Sequence, residues 1–301
     1  MAKLNFLVSL TTRDNDYQQE QASAAEETAL RLGVGVQVVY AENDAIKQGA
    51  QILSAIQAPE AARPNAIIFE PVGASALPQA ARAAAGAVIG WVVINQEADY
   101  IRELRRTARA AVFSVSSDHL EIGRTQGQQF AALLPQGGTV LYIQGPSDNS
   151  AARQRTTGMQ ETKPANIRII ALRAQWTEES AQRAVASWMK LSTSQKQRVD
   201  LVGAQDDSMA LGARKAMQEE PDEVVRAKWL SLPFTGCDGL PKTGQEYVRK
   251  GLLAATVFCP PNTTLALEML VAAIQSGKQP PELALTPPSS IPPLDDLVLS
   301  D

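Results

Sequence analysis

Short runs rich in Val, Ile and Leu alternate along this chain with longer stretches of helical period, and no other feature narrows its fold as much. From the N-terminus the order is LNFLVSL, DYQQEQASAAEETALRLG, VQVVYA, AIKQGAQILSAIQ, AIIFEPV, SALPQAARAAAG and WVVIN. After AAVFSVSSD the alternation restarts with TVLYIQG, RIIALRAQW, VDLVGAQDD, LPFTGCDG and AATVFCPP. Each of these is followed by a helix-like segment except the last, which meets a proline pair first. Parallel strands require a crossover, and the crossovers here carry helical period. The pattern therefore predicts two successive α/β lobes with parallel sheets, and 301 residues are enough to give each its own core.

Charge and motif content narrow the function. The chain has 28 basic against 32 acidic side chains, a formal charge of -4, with no block of like charge. That pattern speaks against a nucleic-acid surface or a membrane-bound patch and suits a small or neutral ligand. No window approaches the ~18 consecutive apolar residues of a membrane span, and MAKLNFLVSL holds no cleavable apolar segment. The expectation is a cytoplasmic protein if Met1 is the native start, or an exported one written without its signal. A single histidine, His119, and the lack of a G-x-S-x-G elbow speak against a hydrolase triad, and no glycine-rich phosphate loop follows the first strand. In SSDHLEIG, adjacent side chains in a strand point to opposite faces, so His119 reads as a helix-start residue rather than as a metal ligand. Cys237 and Cys259 are too few for a disulfide framework and match no zinc spacing; one disulfide stays open.

In parallel sheets ligands sit beyond the carboxyl ends of the strands. The polar residues to weigh are those just after each apolar run: Asn15 to Gln18, Glu70, Asn95, Gln96, Arg153, Arg155, Trp176, Asp206, Asp207, Asp238 and Cys259. Each has a plainer reading. The two arginines suit a solvated helix, Trp176 a core, Tyr17 an exposed loop, Asp206 or Asp207 a helix cap, and Asp238 the turn CDGLP.

Four segments, NSAARQRTTGM, GAQDDSMALGARKAM, GCDGLPKTGQEYVRKGLLAATV and SSDHLEIGR, in this order, resemble the type I periplasmic sugar-binding proteins. This is the ribose-binding-protein-like family, which shares its fold with the effector domains of LacI-type repressors. The resemblance covers nearly the whole chain. It implies two Rossmann-like lobes, residues 1–117 plus 260–287 and residues 118–259 plus 288–301, with a ligand cleft and a hinge of three crossings. These fall near Ser117 and Asp118, near Cys259 and Pro260, and at TPPSSIPP, whose prolines cannot donate ladder hydrogen bonds.

Carried over residue by residue, the resemblance implies ligand contacts from Asn15, Tyr17, Asn95, Gln96, Arg155, Trp176, Asp206, Asp238 and Cys259. Asn95 and Gln96 stand where the ribose type has an Asp-Arg pair, which argues against ribose itself. Asp206 replaces a common Asn, and Cys259 a ligand-binding Gln. Carboxylates and an arginine fork suit hydroxyl-rich ligands, and aromatic faces such as Tyr17 and Trp176 cover sugar C–H faces. Three buried charges need mutual pairing, which places Arg155 near an aspartate.

The function implied is a monomeric receptor, periplasmic by resemblance, delivering a sugar or polyol to the permease of an ABC transporter. No cofactor, metal, nucleic acid or catalysis is expected. A ligand-sensing regulator without a DNA-binding domain is the first alternative, because the first strand begins within a few residues of Met1. A glycoside-processing enzyme built on Asp206 and Asp238 is another, opposed by the expectation that the arginine depresses both pKa values. For the cysteines the expectation is two free thiols, with Cys259 facing the ligand and Cys237 facing away from it.

Overall fold

The computed structural model describes residues 3–73, 76–194 and 197–297. Ser75 of the third helical stretch, and the expected lobe ends at 1–2 and 298–301, lie outside the described residues. The chain forms two compact units, Met1–Ser117 with Pro261–Thr286 and Asp118–Pro260 with Pro287–Asp301.

In the first unit β1 (Asn5–Leu10), β2 (Gly35–Tyr40), β3 (Ala66–Phe69), β4 (Gly90–Ile94) and β5 (Val112–Ser117) alternate with α1 (Asp16–Leu32), α2 (Ala45–Gln57), α3 (Pro78–Gly86) and α4 (Ile101–Thr107). The second unit runs α5 (His119–Leu133), β6 (Gly138–Gln144), α6 (Ser150–Thr162), β7 (Ile167–Arg173), α7 (Glu178–Met189), β8 (Leu201–Ala204), α8 (Asp207–Gln218), α9 (Glu223–Leu230), β9 (Phe234–Thr235), α10 (Gly244–Arg249) and β10 (Thr256–Phe258). The chain then returns to the first unit as α11 (Asn262–Ser276) and β11 (Leu283–Thr286), and to the second as β12 (Ser289–Ile291).

The first unit's sheet is parallel throughout, in the order β11-β5-β4-β3-β1-β2. Its central strands are apolar on both faces because helices cover both. The period of two divides their side chains cleanly. Phe6, Val8, Ile68, Val92 and Phe113 join α1 and α11 on one face, while Leu7, Ile67, Trp91 and Val112 join α2, α3 and α4 on the other. The second unit repeats the plan with the parallel order β7-β6-β8-β9. Leu141, Ile143 and Val202 pack against α7 and α8, and Val140, Tyr142 and Leu201 pack with Phe130 of α5 and Met159 of α6. Two α/β units with parallel sheets are thus the fold class that the alternation implies. Among the described residues no helix is long and apolar enough to cross a membrane.

One segment departs from its sequence reading. TPPSSIPP reads as a linker, yet its middle, Ser289–Ile291, is β12 and pairs antiparallel with β10. The prolines only flank this strand. Ser289, Ser290 and Ile291 keep their own N–H groups, so three residues suffice for a ladder that the prolines themselves cannot make.

The helix that carries Arg155 is seated by two glycines. A Cβ at Gly123 of α5 would stand 2.1 Å from the carbonyl oxygen of Arg155, and one at Gly158 of α6 would stand 2.0 Å from that of Leu120. Backbone therefore meets backbone where α5 and α6 cross, and neither position has room for a methyl. Gly158→Ala is expected to lower stability by about 1–3 kcal/mol, the usual cost of overpacking. The shift in urea midpoint measures it; an unchanged midpoint would show that the two helices separate freely.

Candidate functional site

A doubly wound sheet opens a crevice at the carboxyl ends of the two strands where the winding reverses. In the second unit those strands are β6 and β8, which neighbour each other in the order β7-β6-β8-β9. The loop after β6 leads into α6, which Asn149 caps by accepting from Ala152 N at 3.2 Å. Gln205, just past β8, ties this loop down. Its Oε1 accepts from Gly145 N at 2.8 Å, and its Nε2 donates at 3.0 Å to Ala152 O and to Thr156 Oγ1.

The two arginines of α6 have opposite surroundings. Arg153 is exposed and donates through Nη1 to the carbonyls of Ser147 and Asp148, at 3.2 and 2.7 Å. Arg155 is only 7% exposed. Its Nη1 donates to the main-chain oxygen of Gln205, its Nη2 lies 3.8 Å from Asp238 Oδ1, and its Cζ lies 5.5 Å from the centroid of the Trp176 ring. Among the described residues, Arg155 Nε is buried without a hydrogen-bond partner. Trp176 takes a left-handed φ of 59° and lays its ring on Gly145, where a Cβ would meet ring carbon Cζ2 at 2.2 Å. A glycine after β6 is thus what admits the ring.

Acids crowd this guanidinium. Burial opposes the charge on Arg155, but Cys237, Cys259, Asp238 and Asp206 around it raise its pKa further, so it remains a cation. Asp206 caps α8 through Oδ1, which accepts from Met209 N at 2.6 Å. Burial pushes its carboxyl up to about 6 against the pull of that N–H and of Arg155. Asp207 is buried deeper in the structure: it accepts from Gly239 N at 2.8 Å and from Thr256 Oγ1 at 2.6 Å, and burial pushes it up to about 8. Asp238, at a left-handed φ of 94°, is also pushed up by burial against the pull of Arg155, although 23% of its side chain stays exposed. The expectation that arginine depresses the two carboxyl pKa values is therefore corrected. Removal from water outweighs one cation shared among several acids.

The two cysteines are free thiols, as expected, but the orientation of Cys237 is corrected. Cys237 Sγ lies 3.5 Å from Cys259 Sγ, both buried, rather than facing away. The reading assumed strand alternation through Asp238, but β9 ends at Thr235 and the left-handed turn at Asp238 breaks the period. Among the described residues, Cys237, Asp238 and Cys259 form the one group offering three metal-ligand atoms, all within 4.8 Å of one another. The Arg155 cation beside Asp238 opposes a second positive charge there.

The first unit gathers a network of amides, hydroxyls and one carboxyl at the carboxyl ends of its strands. Tyr17 Oη lies 3.3 Å from Ser117 Oγ and accepts from Asn262 Nδ2 at 3.3 Å. Asn262 Nδ2 also reaches Asn95 Oδ1 at 3.5 Å, and Asn95 Nδ2 donates to Glu70 Oε1 at 3.0 Å. Glu70 accepts from Gln18 Nε2 at 2.7 Å; burial raises its pKa while the two amide donors lower it. Asn262 is thus the link that brings Tyr17 and Asn95 together, and it is absent from the sequence-derived set. Its signal was available, a polar residue directly after a proline pair at the start of an apolar helix. Asn15 stands apart, its side chain spent on capping α1 through Gln18 N at 3.1 Å. Gln96 is half-buried, its Nε2 3.4 Å from the carbonyl of Pro71. His119 is the buried first residue of α5, next to the cap Asp118.

Residues 6–279 match the family model described as periplasmic binding protein domain, and the chain belongs to that family. It is similar to the ribose import binding protein of Salmonella typhimurium, 26% identical over 257 residues that cover 85% of this chain and 79% of that protein. It is also similar to a D-apiose import binding protein of Actinobacillus succinogenes, 24% identical over 254 residues that cover 83% and 74%. Among solved structures, a periplasmic solute binding protein of an ABC transporter from Actinobacillus succinogenes, with bound D-allose, has the same fold. Its TM-score is 0.81 at 22% identity, over 96% of this chain and 97% of that one.

The raised acids set a pH dependence of known sign. In the folded chain Asp207 keeps its proton up to about pH 8, whereas in the unfolded chain it ionises near 3.9. The stability from that proton is full below about pH 4 and is lost as pH rises to about 8; for Asp206 the loss is complete by about pH 6. Asn at 207 keeps an acceptor for Gly239 N and a donor for Thr256 Oγ1 without the charge. Asp207→Asn is expected to flatten the fall in melting temperature between about pH 5 and about pH 8. A fall as steep as in the parent would place its origin elsewhere.

Proposed function

We propose that this protein is a solute receptor that binds a sugar or related polyol and passes it unaltered to the permease of an ABC transporter. It works in the periplasm as a monomer. The single observation that carries the reading is Arg155, a buried cation fixed on three sides with its Nε–H unpaired. A buried donor left without an acceptor costs about 1–3 kcal/mol, more when charged, and a ligand oxygen offsets that cost.

The surroundings suit a hydroxyl-rich ligand. Asp238 offers a partly exposed carboxyl beside the guanidinium, and Trp176 an apolar ring face. Asp206 and Cys259 complete the second unit's candidate contacts. Tyr17, Asn95 and Gln96 are those of the first unit, and Asn15 takes part only through the turn that it caps. The names of the relatives, ribose and D-apiose import, and the D-allose held by the similar structure support the sugar class. Asp206 already spends Oδ1 on the cap of α8, which favours a binding role over that of a mobile acid catalyst.

A thermal-shift screen over pentoses, hexoses, inositols and sugar acids tests the class, since a ligand at 100 Kd adds about 2.7 kcal/mol to stability. Against the ligand so found, Arg155→Ala is expected to lose about 2–5 kcal/mol of binding free energy by calorimetry, whereas Arg153→Ala stays near the parent. Equal losses for the two variants would reject the assignment.

A further inference from the structure

Cys237 and Cys259 are the only cysteines of the chain, and the fold sets them face to face. Cys259 N donates to Asp238 O at 3.0 Å, and Asp238 pairs with Phe258 in a parallel bridge. Main-chain pairing therefore fixes the spacing of the two segments. The bridge sets Asp238 opposite Phe258, so Cys237, before the one, and Cys259, after the other, lie diagonally across the pair and meet through their side chains. The sulfurs, 3.5 Å apart, need to approach by about 1.5 Å to reach a disulfide bond length.

The two thiols are not equivalent. The contact with Cys237, with help from the Arg155 cation, lowers the pKa of Cys259 against the opposing effect of burial. Burial pushes Cys237 well up. Cys259 is assigned as the attacking thiol and Cys237 as the resolving thiol, an order that the single variants below separate. Both sulfurs are buried, while the neighbouring Asp238 keeps 23% of its side chain exposed, so oxidation by a reagent as small as hydrogen peroxide is expected to be slow in the folded protein.

We propose that Cys237 and Cys259 form an oxidation site, which hydrogen peroxide converts to an intramolecular disulfide. The Cys259 thiolate attacks one peroxide oxygen, the O–O bond breaks, and hydroxide leaves, giving Cys259 sulfenic acid. Cys237 sulfur then attacks the Cys259 sulfur. The S–S bond forms, the S–O bond breaks, and the Cys237 proton leaves with the hydroxyl as water. The two electrons lost by the sulfurs are those gained by peroxide. The bond ties the segment that carries Asp238 to the end of β10.

The test uses the reduced full-length protein, exposed to peroxide, quenched in denaturant with an alkylating agent and weighed. The expected product is lighter by about 2 Da, takes up no alkyl group, yields a Cys237–Cys259 cross-linked peptide, and returns to two alkylated thiols after dithiothreitol. The Cys237→Ser variant, which cannot resolve, is expected to hold a sulfenic acid at Cys259 that dimedone labels, and Cys259→Ser to label far more slowly. The six methionines report exposure to the reagent in the same spectrum. Two intact thiols beside oxidised methionines, over-oxidation of Cys259 with no S–S bond, or a purified protein whose thiols are masked by bound zinc would each overturn the proposal.

Discussion

A guanidinium does not shed its charge when buried, so a chain that buries one must build a place for it. Arg155 is that group here, 7% exposed and a cation under any ordinary condition. The features around it make sense as its supports. Gly123 and Gly158 let α6 sit close enough to α5 to carry it inward. Gln205 holds the β6–α6 loop against the end of β8 and lends its own carbonyl to Nη1. Asp238 supplies the opposite charge and Trp176 a π face, while Nε keeps its hydrogen unpaired.

The second constraint is an excess of acid over base. Asp206 and Asp238 share one arginine, Asp207 lies beside them, and burial lifts all three carboxyls above their usual range. Each is kept by a local bond that does not need full charge: the cap on Met209 N, the contacts with Gly239 N and Thr256, and the flank of Arg155. The first unit offers amides and hydroxyls around a single buried carboxyl, Glu70. The polar clusters of the two units thus differ in kind, one mostly amides and hydroxyls and the other rich in charge.

The architecture was legible because the period of two and the helical period were both strong. VVI of β4 and IIF of β3 are apolar on both faces, which a covered parallel strand tolerates, and DYQQEQASAAEETALRL is flanked by its cap Asn15 and its terminal Gly33. Position after a strand located the polar residues, but their use is three-dimensional. Asp206 and Asp207 are adjacent and look alike; one caps a helix, the other is pinned by Gly239 and Thr256 from distant segments. Asn262 was overlooked because its partners lie 245, 167 and 145 residues away along the chain. The cysteine contact was misread because one left-handed residue, Asp238, ends the alternation on which the reading relied. The strand in TPPSSIPP was missed because prolines dominate the segment, while the three residues that pair are only its centre.

A crystal structure of the protein with a bound sugar measures the central claim most directly. Arg155 Nε and a carboxyl oxygen of Asp238 are expected within about 3 Å of ligand hydroxyl oxygens, with the Trp176 ring against a sugar C–H face. A sugar held elsewhere, with Nε still unpaired and the Arg155 surroundings unchanged, would contradict it.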